Sequence, residues 1–344
     1  MLLEELSNAF GPAGNEDEVR RVLARALKDK VDELSTDAMG NLIAFKKGNG
    51  AKARLKVMVD AHIDEVGLMI TRIDKNGLLG FQAVGSLADR LLLAKGVLVG
   101  EKRLPGVITA PPIHLTKPNQ RKQVITIDQL AIDIGASSEN EAKKLVKLGD
   151  YVTFDTRYQV LSEEGLRTAK GKAFDDRIGC AVAAALADET YEVDLYLAFS
   201  VQEEVGLRGA RVAAYRIDPD VAFALEGTVC DDAPRKEDTS PTTRLGKGPA
   251  ITVMDRSFFA DRRLVQLLVD TAEAEGIPYQ FKQPGVGATD AGPIHLTRSG
   301  MPAVTVAVPC RYIHTPVGIL SLNDYDGLVD LMKAALHTLP DTWV

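Results

Sequence analysis

After Gly165 the chain alternates strand patterns with helix patterns, and this alternation narrows the possible folds more than any other feature. A helical pattern follows Asp176, and a run placing Val193, Leu195, Leu197, Phe199 and Val201 on one face comes next. A helix opens after Arg208, and a strand spans Val221 to Leu225. The alternation continues with a strand near Ile251 to Met254, a helix carrying Leu264, Leu267 and Leu268, a strand Ala303 to Val308, and a closing helix with Leu328, Leu331, Met332 and Leu336. Elements in this order bury their apolar faces together as an α/β fold, an open sheet covered by helices on both faces.

The amino-terminal region joins the same unit. Asn15-Glu16-Asp17-Glu18 reads as a capping box opening a helix whose apolar face is Val19, Val22, Leu23 and Leu27. Leu55, Val57 and Val59 alternate into a strand ending at Asp60-Ala61-His62. From 68 to 164 the texture changes to short apolar runs, turn signals at Asn76-Gly77 and Pro111-Pro112, and one helical stretch, Ser138 to Leu148. This predicts a β-rich insertion at 68–164 within a unit made of 1–67 and 165–344, and 344 residues suffice for both.

In an open α/β sheet the ligand site lies off the carboxyl ends of the strands, so polar residues there carry the most information. His62 and Asp64 follow the Leu55 strand, Asp175 and Asp176 precede a helix, Glu203 and Glu204 follow the Val193 strand, Glu226 follows Leu225, and His314 follows the Ala303 strand. Taken singly, each has an ordinary structural use: Asp175 as a helix cap, His62 as an interior histidine, Glu226 as an arginine partner. Together they place an imidazole or a carboxylate at five strand ends. Two histidines with three carboxylates suit zinc, cobalt or manganese and do not suit copper or an iron–sulfur cluster. Five such residues serve two ions with three ligands each if one carboxylate bridges them. The neighbours Glu203 and Glu204 face opposite ways from an extended strand end, so one can ligate while the other takes a proton.

Other classes are disfavoured. The formal net charge is −7 and the basic residues are scattered, which argues against nucleic acid. Met1-Leu2-Leu3-Glu4-Glu5-Leu6 lacks a basic start followed by an apolar core, and no apolar run reaches membrane-spanning length, so a cytoplasmic location is expected. Cys180, Cys230 and Cys310 are far apart and without zinc-ribbon spacing, which predicts reduced, buried thiols.

Ala-His-Ile-Asp-Glu-Val-Gly at 61–67, Phe-Asp-Asp-Arg at 174–177, Gln-Glu-Glu-Val-Gly-Leu-Arg-Gly-Ala at 202–210, Glu-Gly-Thr at 226–228, Gly-Ala-Thr-Asp-Ala-Gly at 287–292 and Arg-Tyr-Ile-His-Thr-Pro at 311–316 resemble the tetrahedral, or TET, dinuclear metallo-aminopeptidases. The resemblance implies a zinc-peptidase-like mixed sheet with an inserted β-barrel-like domain, used for dimer contacts and for assembly into a hollow dodecamer. It implies two divalent ions per subunit, Zn2+ or Co2+, with Mn2+ a further choice. His62 and Glu226 would hold one ion, Glu204 and His314 the other, and Asp175 would bridge. Glu203 would be the general base and Asp64 would orient His62. The substrates would be short peptides with a free amino terminus.

Glu226 departs from the aspartate found in many relatives. Asp176, His114 and His295 read as structural and His337 as a surface residue, while Asp255, Arg256 and Arg311 receive no role. The preferred amino-terminal side chain is not legible. Two other readings are a glycan hydrolase, since some relatives are labelled glucanases, and a non-catalytic metal-binding assembly protein. A glycosidase has no need of His62 and His314, and a purely structural metal site would not keep Glu203 spare.

Overall fold

The computed structural model describes residues 1–50, 52, 55–233, 242–340 and 343. Its strands are β1 (Glu33–Thr36), β2 (Leu42–Lys46), β3 (Lys56–His62), β4 (Gly67–Ile73), β5 (Leu79–Val84), β6 (Gly96–Val99), β7 (Leu104–Ile108), β8 (Ile132–Asp133) and β9 (Tyr151–Phe154). The rest are β10 (Gln159–Val160), β11 (Thr168–Gly171), β12 (Asp194–Ser200), β13 (Val221–Cys230), β14 (Ala250–Thr252), β15 (Gln280–Phe281), β16 (Ala303–Arg311) and β17 (Gly318–Ser321). The helices are α1 (Leu2–Asn8), α2 (Asp17–Leu27), α3 (Glu139–Leu145), α4 (Phe174–Leu186), α5 (Arg208–Ile217), α6 (Arg262–Glu275), α7 (Ala291–His295) and α8 (Leu322–Thr338).

Among the described residues the large sheet runs β1-β2-β12-β3-β13-β16-β17-β11-β10, with β14 pairing β16 and β15. Strands β12, β3, β13 and β16 are mutually parallel neighbours, so their carboxyl ends share one edge. The remaining pairings along the main path are antiparallel, which makes the sheet mixed.

Strand periodicity sorts the core into two layers. Val57, Val59, Leu195, Leu197, Phe199 and Val201 pack with residues of α1, α2, α4, α6 and α8 on one face. Met58, Ala198, Ala222 and Ala224 face Ala210, Ala213 and Ala214 of α5 and Ile294 of α7 on the other. Small side chains on that second face let α5 sit close to the sheet. At Gly209 an added Cβ would fall 2.4 Å from the carbonyl oxygen of Val201, so the helix start leaves no room for a side chain.

Strands β4-β5-β8-β7-β6-β9 close into a separate barrel, whose core includes Leu68, Ile70, Phe81, Val97, Ile132 and Val152. The helix expected from Ser138 to Leu148 is shorter, Glu139–Leu145; the Ser138 hydroxyl caps it by accepting from the Glu141 amide. Helix α2 begins at Asp17 with Glu16, not Asn15, at its cap position and no side-chain cap; the buried Glu16 carboxylate accepts the Gly14 amide at 2.6 Å. Among the described residues no helix is long and apolar enough to cross a membrane.

Candidate metal centre

The shared carboxyl edge of the parallel strands brings together His62, Asp64, Asp175, Asp176, Glu203, Glu204, Glu226 and His314. His62 ends β3, Glu203 and Glu204 follow β12, and His314 follows β16. Glu226 lies inside β13 and not after it, because β13 keeps pairing with β16 as far as Cys230 opposite Arg311. Asp175 and Asp176 belong to the start of α4 but have non-helical backbone angles, so the regular helix starts just after them.

Asp175 stands at the centre. One of its oxygens lies 3.3 Å from His62 Nε2 and the other 3.2 Å from His314 Nε2. His62 Nε2 is also 3.6 Å from Glu226 Oε2 and 3.8 Å from Glu203 Oε2, while His314 Nε2 is 3.4 Å from Glu204 Oε2. Two groups of three donors lie within 4.8 Å of one another: His62 with Asp175 and Glu204, and His62 with Asp176 and Glu226.

Local backbone fixes these positions. The fully buried Asp64 carboxylate accepts the Glu203 amide at 2.9 Å and the Glu204 amide at 3.1 Å, so one side chain holds both glutamates. His62 Nδ1 is closer to the Asp64 carbonyl oxygen, 3.2 Å, than to its carboxylate, 3.5 Å. Asp64 therefore steers the histidine through its main chain as well as its side chain. Ala173, Gln202, Tyr312 and His314 all have positive φ, between 54° and 63°, and each lies on a turn that delivers a site residue. Such conformations persist where surrounding structure imposes them. At Gly227 a Cβ would come within 3.1 Å of the Asp175 Cα, so a side chain there would press on the backbone that presents Asp175.

The profile of the M42 glutamyl aminopeptidase family matches residues 40–331. The chain belongs to this family. M42 proteins are peptidases, and this chain is accordingly a metal-dependent aminopeptidase, a hydrolase of peptide bonds. It is 35% identical to the lysyl aminopeptidase of Pyrococcus furiosus over 349 residues, covering 98% of this chain and 96% of that one. The TET aminopeptidase of a marine-sediment Thaumarchaeota archaeon superposes with a TM-score of 0.92 at 36% identity, over 98% of this chain and 96% of that one. The Pyrococcus horikoshii TET1 peptidase, described as assembling into a tetrahedron or a large octahedral shell, gives 0.86 at 36% identity over 98% and 100%. A Thermotoga maritima structure named endoglucanase gives 0.80 at 37% identity over 97% and 96%.

The electrostatics of this M42 centre suit divalent cations. Burial, then the charge of Asp175, lifts Glu204 to about 8, although His314 pulls it back. Glu203 and Glu226 are also raised well above the usual carboxylate range, first by burial and then by neighbouring carboxylates, against the pull of His62. Burial works against a charged His314, yet its contacts with Asp175 and Glu204 raise it to about 9. Asp175 is buried too, but the two histidines hold it well below the ordinary value. Glu204 Oε1 and Asp176 Oδ2 are buried without a hydrogen-bond partner. An oxygen- and nitrogen-rich cluster with orphaned carboxylate oxygens is a donor set for hard or borderline divalent ions.

Around these residues stand others to which the sequence reading gave no part in the site. Asp176, read as structural, accepts the Gly179 amide on Oδ1 at 2.9 Å, and its carboxylate groups with His62 and Glu226. Behind the centre, Asp60 and Asp290 meet through the Ser200 hydroxyl, at 3.2 and 2.8 Å. The available signal was a carboxylate inside an apolar strand, Asp60, and another in Gly-Ala-Thr-Asp-Ala-Gly, Asp290. Elsewhere, Arg311 pairs with Asp232 at 2.6 Å, Asp255 accepts the Ser257 and Phe258 amides, and His114 is exposed. His295 Nδ1 contacts the Ala291 carbonyl oxygen, and the half-exposed His337 contacts Glu189. The three cysteines are buried free thiols.

Proposed function

We propose that this aminopeptidase works with two divalent ions, His62 and Glu226 holding one, Glu204 and His314 the other, and Asp175 bridging. The observation that carries the reading is the placement of the two Asp175 oxygens, each against a different histidine, at 3.3 and 3.2 Å. Asp176 takes a supporting place, since the Gly179 amide already occupies one of its oxygens. When bound, the ions supply Lewis acidity toward the scissile carbonyl and the attacking water. Glu203 is the general base: it takes a proton from that water and returns it to the leaving amine. Asp64 keeps Glu203 and Glu204 in register through their amides. Zinc and cobalt both suit the donor set, and manganese is compatible.

Substrates are short peptides with a free amino terminus. Residues 1–67 and 165–344 form the catalytic unit, and the 68–164 insertion mediates self-association, from dimer to dodecamer. The resemblance to the shell-forming TET1 peptidase supports that assembly. The buried free thiols suit a reducing, cytoplasmic compartment. A glycan hydrolase would leave both histidines without a task, despite the name carried by one structural relative. The test is release of free amino acid from dipeptides and from their N-acetylated counterparts, with metal added and with chelator. Cleavage confined to free amino termini and abolished by chelation is expected. Chelator-resistant cleavage, or glycan turnover without peptide turnover, would refute the proposal.

A further inference from the structure

Glu65 directly follows the turn that carries His62 and Asp64, while Lys172 and Arg177 bracket Asp175 in sequence. All three charged side chains are buried. Lys172 Nζ donates to both Glu65 oxygens at 2.7 Å, which ties the loop presenting His62 to the loop presenting Asp175.

The amino-terminal segment closes this pair from behind. Lys172 Nζ also donates to the Ala9 carbonyl oxygen at 2.7 Å, and the Gly11 amide donates to Glu65 Oε1 at 3.1 Å. The Glu65 amide donates to the Gly11 carbonyl oxygen at 3.0 Å, and the Ala13 amide to the Glu65 carbonyl oxygen at 3.2 Å. Arg177 donates to the Leu6 and Gly11 carbonyl oxygens at 2.9 and 3.2 Å, with its Nη2 3.6 Å from Glu65 Oε1. Gly11 has no room for a side chain, since an added Cβ would stand 2.7 Å from Arg177 Nη2.

Stability alone is a poor account of this cluster. Uncharged residues of similar volume often replace a buried ion pair at little or no cost, whereas a charge-assisted bond is short and fixes the groups that make it. His62 and Asp175 each lie three residues from one end of the Lys172–Glu65 contact. Their own approach, 3.3 Å from Nε2 to Oδ1, is the distance that this contact holds in register.

We infer that the Lys172–Glu65 pair is a clamp between the two loops, and that Glu65 and Lys172 are positioning residues for the metal centre although neither belongs to the ligand set. The inference rests on the two-ion reading of that centre.

The test titrates metal-free protein with Co2+ at neutral pH and reads affinity from the visible absorption of the bound ion. Lys172→Met/Glu65→Gln is expected to weaken Co2+ binding about tenfold and to shift the absorption band, with a metal-free urea midpoint no lower than that of the wild type. At saturating Co2+, kcat on leucine p-nitroanilide falls with it. Asp324→Ala, which destabilises the fold at α8, is expected to keep the wild-type affinity and band. Affinity within about threefold of wild type in the double variant overturns the inference. An equal loss of affinity in Asp324→Ala also overturns it, by making the effect one of stability. If the double variant does not fold, Glu65→Gln alone, which keeps an acceptor for the Gly11 amide, decides on the same reading. Wild-type protein that takes up no divalent ion overturns the two-ion reading itself, and the clamp with it.

Discussion

Asp64 does more for the centre than a residue that touches neither reactant is usually asked to do. Its two oxygens fix the amides of both Glu203 and Glu204. Asp64→Ala is therefore predicted to weaken metal binding by about 10- to 100-fold and to lower kcat with it, measured by metal titration and turnover on one sample. A second residue-scale prediction concerns Lys172, whose Nζ lies 2.7 Å from both Glu65 oxygens in the interior. Burial draws its ammonium down to about 8 against the pull of Glu65. The unfolded lysine titrates near 10.4, so between about pH 8 and 10 unfolding takes up a proton and stability rises with pH. Below about pH 8 the full burial penalty is present. Urea midpoints are expected to rise with pH relative to the Lys172→Met/Glu65→Gln variant, by up to about 1.4 kcal/mol per unit; parallel curves would refute this. The ligand candidates were legible because strand ends announce themselves locally. Lys172, Asp60 and Asp290 were not, because their partners Glu65, Ser200 and each other lie far away in sequence.

Among the elements, α8 is anchored by an arrangement that its own sequence hardly advertises. Ser321 caps the helix by accepting the Asp324 amide, and the buried Asp324 carboxylate accepts the Gly246 and Gly248 amides at 2.7 and 2.8 Å. Asp324→Ala leaves the buried Gly248 amide and the half-buried Gly246 amide without their acceptor and is expected to cost about 1–3 kcal/mol in denaturant unfolding, with m unchanged. A cost below about 0.5 kcal/mol would mean that water replaces the carboxylate. Element type followed from periodicity, as the common packing of Val193, Leu195, Leu197, Phe199 and Val201 bears out. Boundaries followed less well. Glu226 lies inside β13 because a remote strand, β16, extends the ladder past it. Helix α2 starts one residue later than the capping box implied, with Glu16 at the cap position and its carboxylate on the Gly14 amide.

At the scale of the molecule, the carboxyl edge of the parallel strands gathers Asp175, Asp176, Glu203, Glu204 and Glu226 around His62 and His314. Such a concentration of carboxylates opposes folding until cations screen it. Chelation is thus expected to lower the melting temperature by several degrees, and restoring Zn2+ or Co2+ to recover it; an unchanged melt would place the metals elsewhere. Assembly was the least legible property in the sequence, since no spacing or residue type marks a face for self-association. The central claim concerns Glu203, and the most direct test is to count metal ions and turnover on one sample of Glu203→Gln. The account predicts two ions per subunit with kcat reduced at least about 100-fold. Near wild-type turnover with both ions bound would contradict it.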